Sequence, residues 1–332
     1  MAGVVMALPN FLVAGAPKAG STAVHAALVR HPELFLSVPK EPKYFMTGGV
    51  PPRRRDHRGP GDAHSAREWI WDRRRYEALF DAAPPGTLRG ESTPFYLWDV
   101  DAHRRIAAAI PDVRIIAVIR DPVDRAYSNW THLRSNGLEP EADFRTACRL
   151  EPERVANGWA PFWRYLDLGR YGEQLTSLYE HVPAEQVHVI RYRELIDDPA
   201  RALDAVCEFL GVSTGVLDTI PGSNLSAWAG AGAVNTGLRA AVRSGAWFGS
   251  FAPPERWRRV ERQLLKGLHR GQGLRPDLPV EVRRDLTREF ADDIAVLEGL
   301  LGRSFQDWLG DAGRGTFAVR SSLAPSAREA SQ

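Results

Sequence analysis

Phe11-Leu12-Val13-Ala14 is followed by Gly15-Ala16-Pro17-Lys18-Ala19-Gly20. Ser21 then opens a run that reaches about Arg30 before His31-Pro32 stops it. The apolar tetrad predicts a buried strand, the glycines predict a tight turn, and the residue before Pro32 is biased out of helix. Strand, Gly-containing loop and helix in this order place a helix N-terminus directly beyond the carboxyl end of a strand. That is where open α/β sheets bind their ligands.

The same grammar recurs a hundred residues on. Val113-Arg114-Ile115-Ile116-Ala117-Val118-Ile119 is nearly all apolar, as a parallel strand covered on both faces must be. Asp121 then suits an N-cap and Pro122 the first helical position, so a helix is predicted to carry Arg125 to Leu133. Leu34-Phe35-Leu36 and Gln186–Tyr192 read as further strands. Glu68–Asp81 and Asp101–Ile110 have helical spacing, and Pro199 opens a helix closed by Gly211. Val282, Leu286, Phe290, Ile294, Leu297 and Leu301 form the apolar stripe of a late helix. Strands alternating with helices predict an α/β fold, a P-loop-type, mainly parallel sheet flanked by helices.

Composition sets the limits. The chain has 332 residues, 44% of them hydrophobic, which allows one large core or two small ones. A single domain is predicted over residues 1–312, with a disordered tail at 313–332 and a mobile flap in the Gly-, Ala- and Ser-rich stretch 222–254. Forty-three basic residues against 41 acidic ones leave a net charge of +2, so no polyanion such as nucleic acid is the expected partner, and any basic site is local. No apolar run approaches the roughly 20 residues of a spanning helix. The apolar N-terminus lacks a basic n-region and is interrupted by Pro9 and Asn10, which predicts a cytoplasmic protein. Cys148 and Cys207 are expected to be ordinary buried thiols. Arg is used almost everywhere, yet Lys18, Lys40 and Lys43 hold three of the chain's four lysines. A compact, flexible point charge is wanted there rather than a planar fork.

The first loop is suited to an anion, since successive backbone N–H groups and a helix N-terminus favour negative charge and Ser21 and Thr22 add hydroxyls. On the nucleoside-triphosphate pattern G-x-x-x-x-G-K-[ST], Gly15 and Gly20 match but the lysine position holds Ser21, the lysine having moved to Lys18. The displacement argues against an ATPase or GTPase. The second loop offers the Arg120 fork and, about two helical turns on, the Ser128 hydroxyl, a pair suited to a terminal phosphate. The bland alternative is a capped helix whose Arg120 pairs with Asp121.

Pro17-Lys18-Ala19-Gly20-Ser21-Thr22 resembles the 5′-phosphosulfate loop of sulfotransferases that use 3′-phosphoadenosine 5′-phosphosulfate (PAPS). Arg120-Asp121-Pro122-x-x-Arg125-x-x-Ser128 resembles their 3′-phosphate element. With Lys40-Glu41-Pro42-Lys43-Tyr44-Phe45 and Gly90-Glu91-Ser92-Thr93-Pro94-Phe95-Tyr96, the chain is similar to the bacterial group related to heparan sulfate sulfotransferase domains, from about Phe11 to Trp308. The resemblance implies a sulfotransferase fold and PAPS as co-substrate with no metal. It implies sulfuryl transfer to a hydroxyl or amine of a small-molecule or glycan-like acceptor. Lys18, Ala19, Gly20, Ser21, Thr22, Arg120, Ser128 and Arg239 are the implied cofactor contacts, and Lys18, Glu41 and Lys43 the catalytic group, with Glu41 as base. The sequence departs from its relatives where their lysine before Thr-Pro is replaced by Ser92. It departs from the cytosolic enzymes where their adenine-stacking Trp is replaced by Ala23 and their catalytic His has no counterpart, leaving His103 to be tested. His25 reads as a packing or surface residue. The aromatic group Trp159, Phe162, Trp163 and Tyr165 reads first as core. The rival readings are a Mg²⁺-dependent nucleotide kinase-like enzyme and a nucleotide-binding module without turnover.

Overall fold

The computed structural model of the chain describes residues 8–52, 59–60, 69–220, 228–229, 237, 240, 272–273 and 276–310. In chain order its main elements are β1 (Phe11–Gly15), α1 (Ser21–Leu28), β2 (Leu34–Leu36), α2 (Tyr44–Thr47), α3 (Arg73–Glu77), β3 (Leu88–Ser92), α4 (Val100–Ala109), β4 (Arg114–Ile119) and α5 (Pro122–Ser135). After them come α6 (Phe144–Arg149), α7 (Glu151–Ala156), α8 (Tyr171–Tyr179), β5 (Val187–Arg191), α9 (Tyr192–Asp197), α10 (Pro199–Leu210) and α11 (Val280–Leu301).

These five strands form one sheet in the order β2-β3-β1-β4-β5 with every pairing within it parallel, and a second, two-stranded antiparallel sheet pairs Trp228–Ala229 with Gln272–Gly273. Period-two alternation sends Leu12, Ile115, Ala117 and Ile119 to one apolar layer, which takes in Ile106 of α4, Val123 of α5, Leu175 of α8 and Phe290 of α11. Phe11, Val13, Ile116 and Val118 face the other, with Val24 and Leu28 of α1 and Leu203, Val206 and Leu210 of α10. Burial on both faces is why β4 reads as an unbroken apolar run. Truncating one of these central side chains to Ala costs about 2–5 kcal/mol.

The connections from β1 run to β2 and β3 on one side, whereas β4 lies on the other. The crevice between the β1 and β4 ends is therefore the topological switch point of the sheet. The β1 register slips between Val13 and Gly15, and the Ala16 N–H reaches the Val118 carbonyl at 2.5 Å, so the two loops leave the sheet side by side.

The predicted elements need three corrections. The helix expected over Glu68–Asp81 begins only at Arg73, because the Asp72 carboxylate caps the Arg75 N–H at 2.9 Å, and it continues as a 3₁₀ turn through Phe80. Ahead of it the Ile70 N–H is tied to the Pro42 carbonyl at 2.9 Å. Strand β3 was not predicted, since Arg89, Gly90 and Glu91 break the apolar pattern; the structure inserts it between β1 and β2. The strand expected over Gln186–Tyr192 ends at Arg191, and Tyr192 starts α9. Cys148 and Cys207 are free and buried, as expected. Of the stretch 222–254, only 228–229, 237 and 240 are described; Arg239 and the tail 313–332 lie outside the described residues.

Candidate active site

Four segments meet at the carboxyl edge of the sheet. The β1 loop comes first. Gly15 leaves the strand where an added Cβ would sit 2.4 Å from Leu97, so the close approach requires glycine. Gly20 caps α1 at φ 109, and a Cβ there would lie 2.6 Å from the Tyr192 ring. No side chain caps α1, so its N-terminus offers its positive end to whatever occupies the loop. Between the glycines Lys18 holds φ 67, with Ala19 and Ser21 buried and Thr22 exposed.

The β4 loop is built on another plan. The Asp121 carboxylate accepts from the Val123 and Asp124 N–H groups, both at 2.9 Å, so this helix start is capped from within the chain. Arg283 of α11 lies 3.2 Å from Asp121 and also pairs with Asp124. Burial and the neighbouring Asp124 charge push the Asp121 carboxyl up to about 6. The capped helix of the bland alternative is present, and the Arg120 charge acts on Asp121 beside that of Arg283. Arg120 faces Asp124 at 4.0 Å and stacks over the Tyr192 ring at 4.9 Å. Ser128 is half-buried further along α5. Arg125 is fully buried and ties the two loops together: it donates to the carbonyls of Pro17 at 3.4 Å and Tyr165 at 2.5 Å, and to the Asn129 side chain at 3.3 Å. Tyr192 lies between Gly20 and Arg120, and the sequence reading did not single it out. Its place at the end of a predicted strand was the available signal.

The third segment is Lys40–Phe45. Lys40 is ion-paired with Glu41, and the Glu41 N–H donates to the Ser92 carbonyl at 3.0 Å. Glu41 has φ 62 and Lys43 φ 57. Lys18, Glu41 and Lys43 are the only non-glycine residues with positive φ among the described residues. They are also the three residues named as catalytic from sequence. Such conformations persist only where the surroundings over-determine them, and they concentrate at functional sites. The Lys43 ammonium lies 5.2 Å from the Trp69 ring centroid and 5.5 Å from that of Phe95.

The fourth segment is the end of β3. Its last residue, Ser92, is within 2.8 Å of His25 Nδ1. Burial and the Lys40 charge bring His25 down to about 4, so it is neutral at pH 7. His25 is thus a half-buried residue of α1 whose ring reaches the end of β3 at Ser92. His103, the other histidine weighed, is fully buried with Nδ1 at 3.1 Å from Ser177 Oγ and Nε2 at 3.0 Å from the Leu97 carbonyl, so no nitrogen is left for substrate. Of the aromatic group, Trp163 and Tyr165 are core, and Phe162 packs edge-on against Phe95, 5.8 Å between centroids. Among the described residues no group of three or more His, Cys, Asp or Glu side chains is arranged to hold a metal ion. No described helix is long and apolar enough to cross a membrane.

An uncapped loop–helix unit after β1 and a capped helix after Arg120 thus face one switch point of a parallel α/β sheet. The sulfotransferase family model matches residues 9–215, and the chain belongs to that family. It is similar to human bifunctional heparan sulfate N-deacetylase/N-sulfotransferase 3, 31% identical over 211 residues covering 62% of this chain and 22% of that protein. Human heparan sulfate glucosamine 3-O-sulfotransferase 3B1 is 29% identical over 212 residues, covering 64% of this chain and 48% of the relative. The match thus spans less than half the length of either relative. The fold resembles the crystal structure of a sulfotransferase from Alicyclobacillus acidocaldarius, with a TM-score of 0.70 and 28% identity over 91% of this chain and 99% of that one.

Proposed function

We propose that the chain is a PAPS-dependent sulfotransferase acting on a hydroxyl or amine of a small-molecule or glycan-like acceptor. One observation carries the reading: the uncapped α1 N-terminus, led by left-handed Lys18, stands beside Arg120 across the Ala16–Val118 hydrogen bond. Lys18, Ala19, Gly20, Ser21 and Thr22 take the 5′-phosphosulfate, and Arg120 and Ser128 take the 3′-phosphate, with Arg239 a further contact proposed from sequence. The relatives' names, which specify sulfation of heparan sulfate sugars, support a sugar-like acceptor. The rings of Trp69 and Phe95 beside Lys43, with Phe162 packed edge-on against Phe95, support an acceptor with an apolar or sugar face.

In the transfer, Glu41 accepts the proton of the acceptor hydroxyl while its oxygen forms a bond to sulfur. The bond from sulfur to the bridging oxygen of the 5′-phosphate breaks, and its electron pair stays on the phosphate. Lys18 neutralises that developing charge, and Lys43 helps to orient the acceptor. No metal is required, because the loop lysine supplies the charge that Mg²⁺ supplies in kinases.

Two measurements test this. Calorimetry should show 3′-phosphoadenosine 5′-phosphate (PAP) binding far more tightly than adenosine 5′-phosphate, in the presence of chelator; equal affinities overturn the two-loop assignment. With an acceptor found by mass-detected screening, Glu41→Gln should lose about 10²–10⁴-fold in turnover, the usual worth of a positioned base, with donor affinity nearly unchanged. Near-normal turnover in that variant would make Glu41 only the ion-pair partner of Lys40.

A further inference from the structure

Glu91 lies at the end of β3, fully buried, and the transfer chemistry leaves it without a task. Its carboxylate accepts three hydroxyl hydrogen bonds: Tyr76 at 2.9 Å and Tyr96 at 2.7 Å on Oε1, and Thr93 at 2.8 Å on Oε2. An ionised carboxylate has acceptors only, so all three hydroxyls must turn their protons inward. Thr93 and Tyr96 are then left with lone pairs facing outward. Those lone pairs meet the Lys43 N–H at 3.3 Å and the Phe45 N–H at 3.2 Å. Tyr76, the third donor, stacks on Tyr44 with centroids 4.2 Å apart and planes 9° apart. Each of Lys43, Tyr44 and Phe45 is thus held by a side chain that Glu91 itself holds.

We propose that Glu91 is a positioning residue for the acceptor-side segment, its charge setting the direction of the hydrogen bonds that keep Lys43 left-handed and α2 in place beside Glu41. The consequence for turnover rests on the sulfotransferase reading; the consequence for backbone order does not. The groups facing Glu91 are the hydroxyls of Tyr76 from α3 and of Thr93 and Tyr96 from the β3 end, and the Glu41 charge from the segment it supports. Burial pushes Glu91 up to about 7, the Glu41 charge acts the same way, and the three hydroxyls oppose both. The ionised form is therefore best studied at pH 8.5.

Glu91→Gln keeps the shape but brings an NH₂ donor into a nest of donors. The hydroxyl that meets the NH₂ must then turn its proton outward, and where it is Thr93 or Tyr96 the proton competes with the backbone N–H for the same side of the oxygen. Thr93→Val removes the Lys43 acceptor together with the Thr93 donor to Glu91, leaving the Tyr76 and Tyr96 bonds in place, and Thr93→Ser restores both. In rapid-quench hydrogen exchange on the full chain at pH 8.5, Glu91→Gln should speed exchange of the Lys43 amide or of the Phe45 amide, according to whether its NH₂ faces Thr93 or Tyr96, about tenfold or more. Thr93→Val should do so at Lys43, while Thr93→Ser stays at the wild-type rate. PAP affinity by calorimetry should hold, and kcat should fall about tenfold or more without a matching rise in the donor KM. Wild-type exchange at both amides in Glu91→Gln and at Lys43 in Thr93→Val overturns the proposal, as does Thr93→Ser behaving like Thr93→Val. If Glu91→Gln does not fold, the Thr93 pair still decides. Absence of turnover in the wild type with PAPS counts against the sulfotransferase reading and leaves the exchange result to judge Glu91.

Discussion

The loops after β1 and β4 face the same crevice, and both lead into helices, but they present opposite ends of the same chemistry. The β1 loop leaves its helix without a side-chain cap and reaches the crevice with backbone, two glycines and a left-handed lysine. The β4 loop spends its helix N-terminus on Asp121 and balances that charge, together with Asp124, against Arg283 and Arg120. On the proposed reading, the rigid, close-fitting backbone cradle holds the group that reacts, and the side-chain fork, drawn from an existing ion-pair network, exchanges one partner for a phosphate that only anchors. Arg125, buried between Pro17 and Tyr165, keeps the two in register.

The difference can be broken at three places. The largest effect is expected for Lys18→Ala. It should lower kcat by about 10²–10³-fold, the range for losing one donor aimed at developing charge, and weaken donor binding as well. Steady-state kinetics with PAP titration measures both, and a loss confined to binding would reduce the β1 loop to the anchoring role assigned to its neighbour. Arg120→Ala comes next. PAP affinity should fall about 10–100-fold, the worth of a charge-assisted hydrogen bond, while affinity for adenosine 5′-phosphate barely moves and turnover at saturating donor stays within a few-fold. Equal losses for both nucleotides would show that Arg120 does not read the 3′ group.

The smallest effect concerns Asp121→Asn, which retains a good N-cap on one oxygen and removes the charge together with the oxygen that Arg283 donates to. The native Asp121 pKa is raised from 3.8 to about 6, so the folded state holds this proton more tightly than the unfolded chain. Its contribution to stability is fully present below about pH 4 and is lost as pH rises through 6. Asp121→Asn should therefore gain stability relative to the wild type between pH 4 and 6, read as a shift in denaturation midpoint. A difference that does not vary with pH would mean the Arg283 and Arg120 charges already compensate Asp121 in full.

What could be learned from sequence alone was whatever is local. Strands β1 and β4 announce themselves because burial on both faces demands consecutive apolar residues, and Asp121-Pro122 announces a helix because capping is settled within four residues. The loop residues Lys18 to Thr22 and Arg120 follow from those boundaries. Tertiary structure alone decided the rest. Strand β3 is hidden because Gly90 yields its side-chain space to the Phe11 ring and Glu91 satisfies its charge with hydroxyls from Tyr76, Thr93 and Tyr96. His25 meets Ser92 across 67 positions, and Arg283 reaches Asp121 across 162. A pattern with a period of two or 3.6 residues carries no information about such partners. The chain writes its strands and caps in neighbouring residues, but a buried charge is defined by what the fold brings to it.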